Sequence, residues 1–230
     1  MLLTLLACKP ASEKYQYFNL YAFGTVGTGA TLRLDITGAT FTVKEDQTDS
    51  KWMHEQTIFF FYDILDRTAE GAYDIRMKSY TPVERKLARA KSLTPAEEYG
   101  NDAVSFYQDW GFNPADRTID VACLYTCLKD SETEHTISLV ADDAKSNADT
   151  LYLELHHQGH GESYENEAYQ PKDFQVQTAF LRFSIGGVLP EGAGQEIVLC
   201  LDWDWFPSED GVLIRENKHF QAFTTVKLSE

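Results

Sequence analysis

The densest group of chemically capable side chains is His156-His157-Gln158-Gly159-His160-Gly161-Glu162. Three imidazoles and a carboxylate so close together could hold zinc or copper, because neutral imidazole is a favoured ligand of both. Local geometry argues against it. The preceding Leu151-Tyr152-Leu153-Glu154-Leu155 alternates like a strand, and on a strand His156 and His157 point to opposite faces. Only one of them could join His160 from the turn, whereas catalytic motifs such as His-Glu-x-x-His align their ligands on a helix. The segment reads as a polar, glycine-rich hairpin, with His157 and His160 as weak metal candidates, and no cofactor is expected.

A second constellation is Leu201-Asp202-Trp203-Asp204-Trp205-Phe206-Pro207. On a strand Trp203 and Trp205 share one face, and Asp202 and Asp204 share the other. Exposed tryptophans beside carboxylates can grip sugar rings by stacking and hydrogen bonding. Two same-face tryptophans are equally a sandwich core, and that reading is preferred because large aromatics are mostly buried. Trp110, Trp203 and Trp205 are the ligand-binding candidates. The two aspartates lie side by side on one strand, so they would not flank a glycosidic bond as hydrolysis requires. Asp142, Asp143, Asn147 and Asp149 make an acidic turn, without the Asp-x-Asp-x-Asp-Gly pattern of a calcium loop. The sequence has no Gly-x-Ser-x-Gly elbow and no phosphate-binding glycine loop, so no catalytic residue is assigned and a non-enzymatic role is expected.

The chain opens Met1-Leu2-Leu3-Thr4-Leu5-Leu6-Ala7-Cys8. An apolar run closed by a small residue and then cysteine has the form of a lipobox, with Cys8 as the acylated residue and residues 9–14 as a tether. No Lys or Arg precedes the run, and the run is at the short limit of a signal h-region; the true translation start is expected upstream. No other stretch approaches the length needed to span a bilayer. Three further cysteines remain, Cys123, Cys127 and Cys200. Cys123 and Cys127, four strand residues or roughly 13 Å apart, are too distant to bond each other; Cys200 could reach one of them, but buried free thiols are preferred. With 36 acidic against 20 basic residues the formal charge is -16, a field that repels nucleic acid and anionic lipid.

The elements that must position these residues are strands. Aromatics make up 13% of the chain, and period-two alternation with Gly, Asn and Asp turns recurs throughout. Five strands within residues 15–84 fit a small OB-like barrel, which leaves fewer open edges than a meander sheet. Residues 85–100, containing most of the basic run that starts at Glu84 (Arg85-Lys86-Leu87-Ala88-Arg89-Ala90-Lys91), read as a linker. Seven strands in 101–230 fit an antiparallel β-sandwich. The expected class is therefore all-β, an N-terminal OB-like barrel followed by a C-terminal sandwich.

This order of features resembles the NigD-like lipoproteins of Bacteroidetes. The resemblance rests on the lipobox, on Gly100-Asn101-Asp102 leading to Trp110-Gly111-Phe112, and on Asp149-Thr150-Leu151-Tyr152-Leu153-Glu154-Leu155-His156-His157 running into Gly159-His160-Gly161-Glu162. His156 stands where the family's pattern has Arg. Ala179-Phe180-Leu181-Arg182-Phe183-Ser184-Ile185 resembles the strand that follows. The resemblance implies the barrel-plus-sandwich architecture and no known catalytic residues; bacteriocin immunity follows only from the family name. The expected role is that of a cell-envelope lipoprotein anchored to the outer membrane, with another envelope protein or a glycan as partner. A carbohydrate-binding accessory role ranks second, and a metal-dependent hydrolase built on His157 and His160 ranks last.

Overall fold

The computed structural model describes residues 17–35, 37–48, 51–106, 110–209 and 212–228. Cys8, with the expected lipobox and tether, lies outside them. The chain forms two units, divided between Thr81 and Pro82, and it is all-β.

The first unit comprises β1 (Tyr17–Val26), β2 (Thr31–Leu34), β3 (Thr40–Asp46), β4 (Thr57–Ala69) and β5 (Ala72–Pro82). They close into a barrel of order β1-β2-β3-β5-β4, with β3 and β5 parallel. Alternation explains the closure. Ile58, Phe60 and Tyr62 on β4 are buried together with Leu32, Phe41, Ile75 and Met77, and a closed sheet has no open edge to protect. Glu70 and Gly71 alone connect β4 to β5, with Gly71 at φ +68°, the left-handed conformation that a two-residue hairpin turn requires.

In the second unit the strands are β6 (Glu84–Leu87), β7 (Arg89–Ala90), β8 (Val104–Phe106), β9 (Gly111–Asn113), β10 (Thr118–Leu128), β11 (Thr136–Ala141), β12 (Thr150–Gln158), β13 (Phe174–Ser184), β14 (Glu196–Trp205), β15 (Ser208–Glu209), β16 (Val212–Leu213) and β17 (Lys218–Lys227). One sheet runs β6-β13-β10-β8 with β9 also on β10; the other runs β17-β14-β12-β11-β7. Ile119, Val121, Leu181 and Phe183 of the first sheet share one core with Leu139, Leu153, Leu199 and Leu201 of the second. This is a sandwich, but not an antiparallel one. The pairs β6–β13, β7–β11 and β12–β14 are parallel.

Two of these parallel pairs explain why residues 85–100 are not a linker. The chain lays β6 along the edge of one sheet, crosses at the buried Ala88, whose amide donates to the Ser184 carbonyl at 2.9 Å, and lays β7 along the edge of the other. A short helix, α1 (Ala96–Tyr99), follows. The basic run is used, not solvated as a free face: Lys86 Nζ donates to the Ile137 carbonyl at 3.2 Å, and Arg89 pairs with Glu98 at 2.9 Å. Pairing with sheet edges gave these short charged segments a strand identity that their composition does not encode.

On the other face of the β10/β13 pair, Asp120 accepts from Arg182 Nε at 2.7 Å and Nη2 at 2.9 Å, with both side chains almost wholly buried. The two-pronged geometry compensates the desolvation of both ions. Asp120→Asn keeps the shape but removes the counter-charge, and it should lower unfolding free energy by about 3 kcal/mol. Chemical denaturation checks this; a loss below about 1 kcal/mol would show that Arg182 does not depend on that carboxylate.

Candidate functional site

The sandwich gathers ionisable groups in two places at one end of β12. The first is buried. Leu151, Leu153, Leu155 and His157 are the inward row of β12, so the strand's parity sends His157 into the interior, with no exposed surface. Its Nε2 lies 2.8 Å from His135 Nδ1, and the Tyr125 ring lies 5.1 Å from one imidazole and 5.4 Å from the other. His135 Nε2 is 3.2 Å from Glu162 Oε2. The Glu162 carboxylate also accepts from the Leu128 amide at 3.3 Å, from Thr133 Oγ1 at 2.5 Å and from the Ser131 hydroxyl.

An ionised Glu162 accepts only, so it takes the proton on His135 Nε2, and the His135–His157 bond joins the second imidazole to it. The result is a buried chain of two imidazoles ending on a carboxylate. Burial first, then the proximity of His135, holds His157 down at about 4, against the opposing pull of Asp102 and of the Ala103 backbone. Burial alone would raise Glu162, but the bonds from Ser131, Thr133, His135 and Leu128 outweigh it and hold the carboxyl at about 2.

The second place is open. Asn101, Asp102, Glu154, His156, Asp202, Trp203, Asp204 and His219 line a groove of about 240 Å³, with Lys145 at its side. β12 and β14 place Glu154 beside Asp202 in parallel register, and β14 and β17 place Asp204 beside His219 in antiparallel register. Glu154 is held by Lys91 at 2.8 Å, His156 at 3.1 Å and Lys145 at 3.4 Å. The His156 bond first, with Lys91 adding to it against burial, keeps this carboxyl far below the usual range. Asp202 accepts from Gln221 at 2.6 Å, Asp204 pairs with His219 at 3.1 Å, and Asp102 accepts from the Gly159 amide at 2.7 Å. Glu165 is pushed upward by burial and then by Asp102 and Asp204.

The sequence candidates are distributed unevenly over these features. Trp203 lines the groove but is half-buried, edge-on to Phe106 at 4.6 Å and stacked on Phe220 at 5.7 Å. Trp110 packs on the main core, while Trp205 joins a smaller cluster with Tyr164 and Phe206. The three do not form an exposed aromatic row. His157 and His160 are not joined: the first is bonded to His135, and the second is exposed in the turn at φ +52°. Among the described residues no three His, Cys, Asp or Glu side chains are grouped to hold a metal ion. Cys123, Cys127 and Cys200 are free and buried. Burial and then the bond to Asp202 push the Cys200 thiol up to about 12, so it is no thiolate nucleophile at neutral pH.

His135, Asp102, Lys91 and Lys145 were not singled out by sequence. His135 was recoverable in principle, because Ile137 pairs with His157 and a residue two positions away on a strand shares that face. Lys91 was hidden by its reading as part of a linker.

No family model and no curated protein sequence matches this chain. Solved structures do. A toxin-related protein from Parabacteroides distasonis superposes with a TM-score of 0.58 at 17% identity, covering 89% of this chain and 92% of its own. A NigD-like immunity protein from Bacteroides caccae gives 0.56 at 15% identity, covering 89% and 96%. The fold is that of the NigD-like proteins. A Bacteroides fragilis protein named as a lipoprotein gives 0.57 at 14% identity, covering 93% and 98%. At these identities the likeness establishes architecture and supports the resemblance carried by Gly100-Asn101-Asp102 and the β12 segment.

Proposed function

We propose that this chain is a non-enzymatic binding module of the bacterial cell envelope, lipid-anchored through Cys8, and that the groove at the end of β12 and β14 is where it binds. The observation that carries this reading is the groove itself. Its carboxylates and imidazoles sit on paired strands, already fixed by Lys91, Lys145 and Gln221, which is the preorganisation that recognition rewards. The closed barrel's strand order supports the OB-like reading of the first unit. The lipoprotein named among the structural neighbours supports the anchor, and the outer membrane is the location proposed.

An envelope protein is the leading partner, since a negative groove steers and selects a positively charged contact. A glycan is second, favoured by Trp203 beside Asp202 and Asp204 in the groove wall. In-cell crosslinking of the native protein, followed by mass spectrometry, tests the reading. A reproducible envelope partner lost on Asp204→Lys is the expected result. Binding to a glycan array instead, with quenching of tryptophan fluorescence, would transfer the groove to the second reading. Recovery of neither would overturn both. Loss of fatty-acid labelling in Cys8→Ser is the expected check on the anchor.

A further inference from the structure

Among the described strands two long stretches of sheet edge are uncovered: the part of β13 that precedes Leu181, where β6 begins to pair, and the whole of β17, which is the longer. The barrel is closed, and in the sandwich β6, β7, β8 and β9 are edge or flanking strands of two to four residues. Long, regular edges are templates for pairing, and natural proteins blunt them by shortness, proline, bulges or charge. β17 ends its sheet with ten residues, Lys218–Lys227, in unbroken register with β14. It has no proline and no bulge, its two lysines stand only at the ends, and Phe223 at its middle is 60% exposed.

We infer that β17 pairs with β17 of a second copy, antiparallel about a two-fold axis at Phe223, joining two five-stranded sheets into one of ten. The strand's own pattern carries the choice of occupant. A two-fold axis perpendicular to the sheet keeps like faces together, so Phe223 meets the partner's Phe223 on the outer face. Gln221 then meets the partner's Thr225, and His219 meets the partner's Lys227. On the face that packs into the sandwich, Phe220 meets the partner's Val226 and Ala222 meets the partner's Thr224. Aromatic and β-branched cross-strand pairs of this kind are the favourable ones. The acidic partners of the strand ends lie one strand further in, on β14. Lys227 pairs with Glu196 and His219 with Asp204 within one copy, and the proposed register brings the partner's Lys227 toward Asp204. The partner thus supplies a cation to the rim of the acidic groove. This inference does not depend on what the groove binds.

The test uses the full chain carrying Cys8→Ser, in solution. Sedimentation equilibrium should show a dimer at about 100 μM, and Phe223→Lys should weaken it at least about tenfold while circular dichroism and thermal unfolding stay unchanged. Under oxidation Phe223→Cys should form an intermolecular disulfide, because residues opposed on neighbouring antiparallel strands lie within disulfide reach. Gln221→Cys, opposed to Thr225, should not. A monomer at that concentration, a dimer indifferent to Phe223→Lys, or crosslinking through Gln221→Cys instead would overturn the proposal. So would a monomer whose Phe223→Cys form crosslinks in cells to a different protein, which would assign this edge to a foreign strand.

Discussion

Gly100→Ala should be the most damaging single methyl addition in the second unit, lowering its unfolding free energy by about 4 kcal/mol. Two independent costs meet at this position. Gly100 sits at φ 71° and ψ -179°, a region that is essentially closed to side chains. A Cβ there would also stand 2.5 Å from the His157 carbonyl oxygen and 2.7 Å from Gln158 Cα. Both are backbone atoms of β12, so relief requires moving a strand in the middle of a sheet. The close approach has a purpose visible in the same segment. The Gly100 amide ends α1 on the Ala96 carbonyl, and two residues later the Asp102 amide bonds the His157 carbonyl at 2.9 Å. That bond delivers Asn101 and Asp102 to the groove. Gly192→Ala is the matched control, since Gly192 has φ +77° and open space around a Cβ; it should cost about 1 kcal/mol. Urea unfolding of both variants decides the matter, and equal losses would mean that the contact with β12 contributes nothing.

The regular strands of this protein were legible because its hydrophobic alternation is strong. Thr118–Leu128 and Thr150–Gln158 form as their patterns require, and the inward parity of Leu151, Leu153 and Leu155 extends to His157. What was not legible is what depends on register between distant segments. Nothing local in Glu84–Leu87 says strand; those residues become one because Leu181–Ser184 offers an edge to pair with. The reading of two tryptophans on one face was geometrically right, yet their surroundings differ, since Trp203 reaches the groove and Trp205 packs beside Phe206. The histidine-rich turn pointed to a place where chemistry gathers but misassigned the partners. His157 is completed by His135, twenty-two positions earlier, and Glu162 closes the chain through hydroxyls of Ser131 and Thr133.

That buried chain makes the second unit acid-labile in two separable steps. His157 is held at about 4 against an ordinary 6.5. Between those values the unfolded chain binds a proton that the folded one refuses, so the stability is complete above 6.5 and falls as the pH drops toward 4, by about 3 kcal/mol. Glu162 is held at about 2 against 4.5. Its contribution is present above 4.5 and is lost as the pH drops toward 2. Urea unfolding across this range should therefore show a decline that begins near pH 6.5, well above where carboxylates alone would start it. His157→Gln retains a polar partner for His135 and should flatten the upper part of the decline while leaving the lower part. Glu162→Gln should leave the upper part and shrink the lower one, to which Glu154 also contributes. A wild-type profile that is level from pH 6.5 to 4.5 would sink the assignment of His157 as the neutral, proton-refusing end of the chain. It would mean that a proton reaches His157 at no cost, which its burial away from water makes electrostatically expensive.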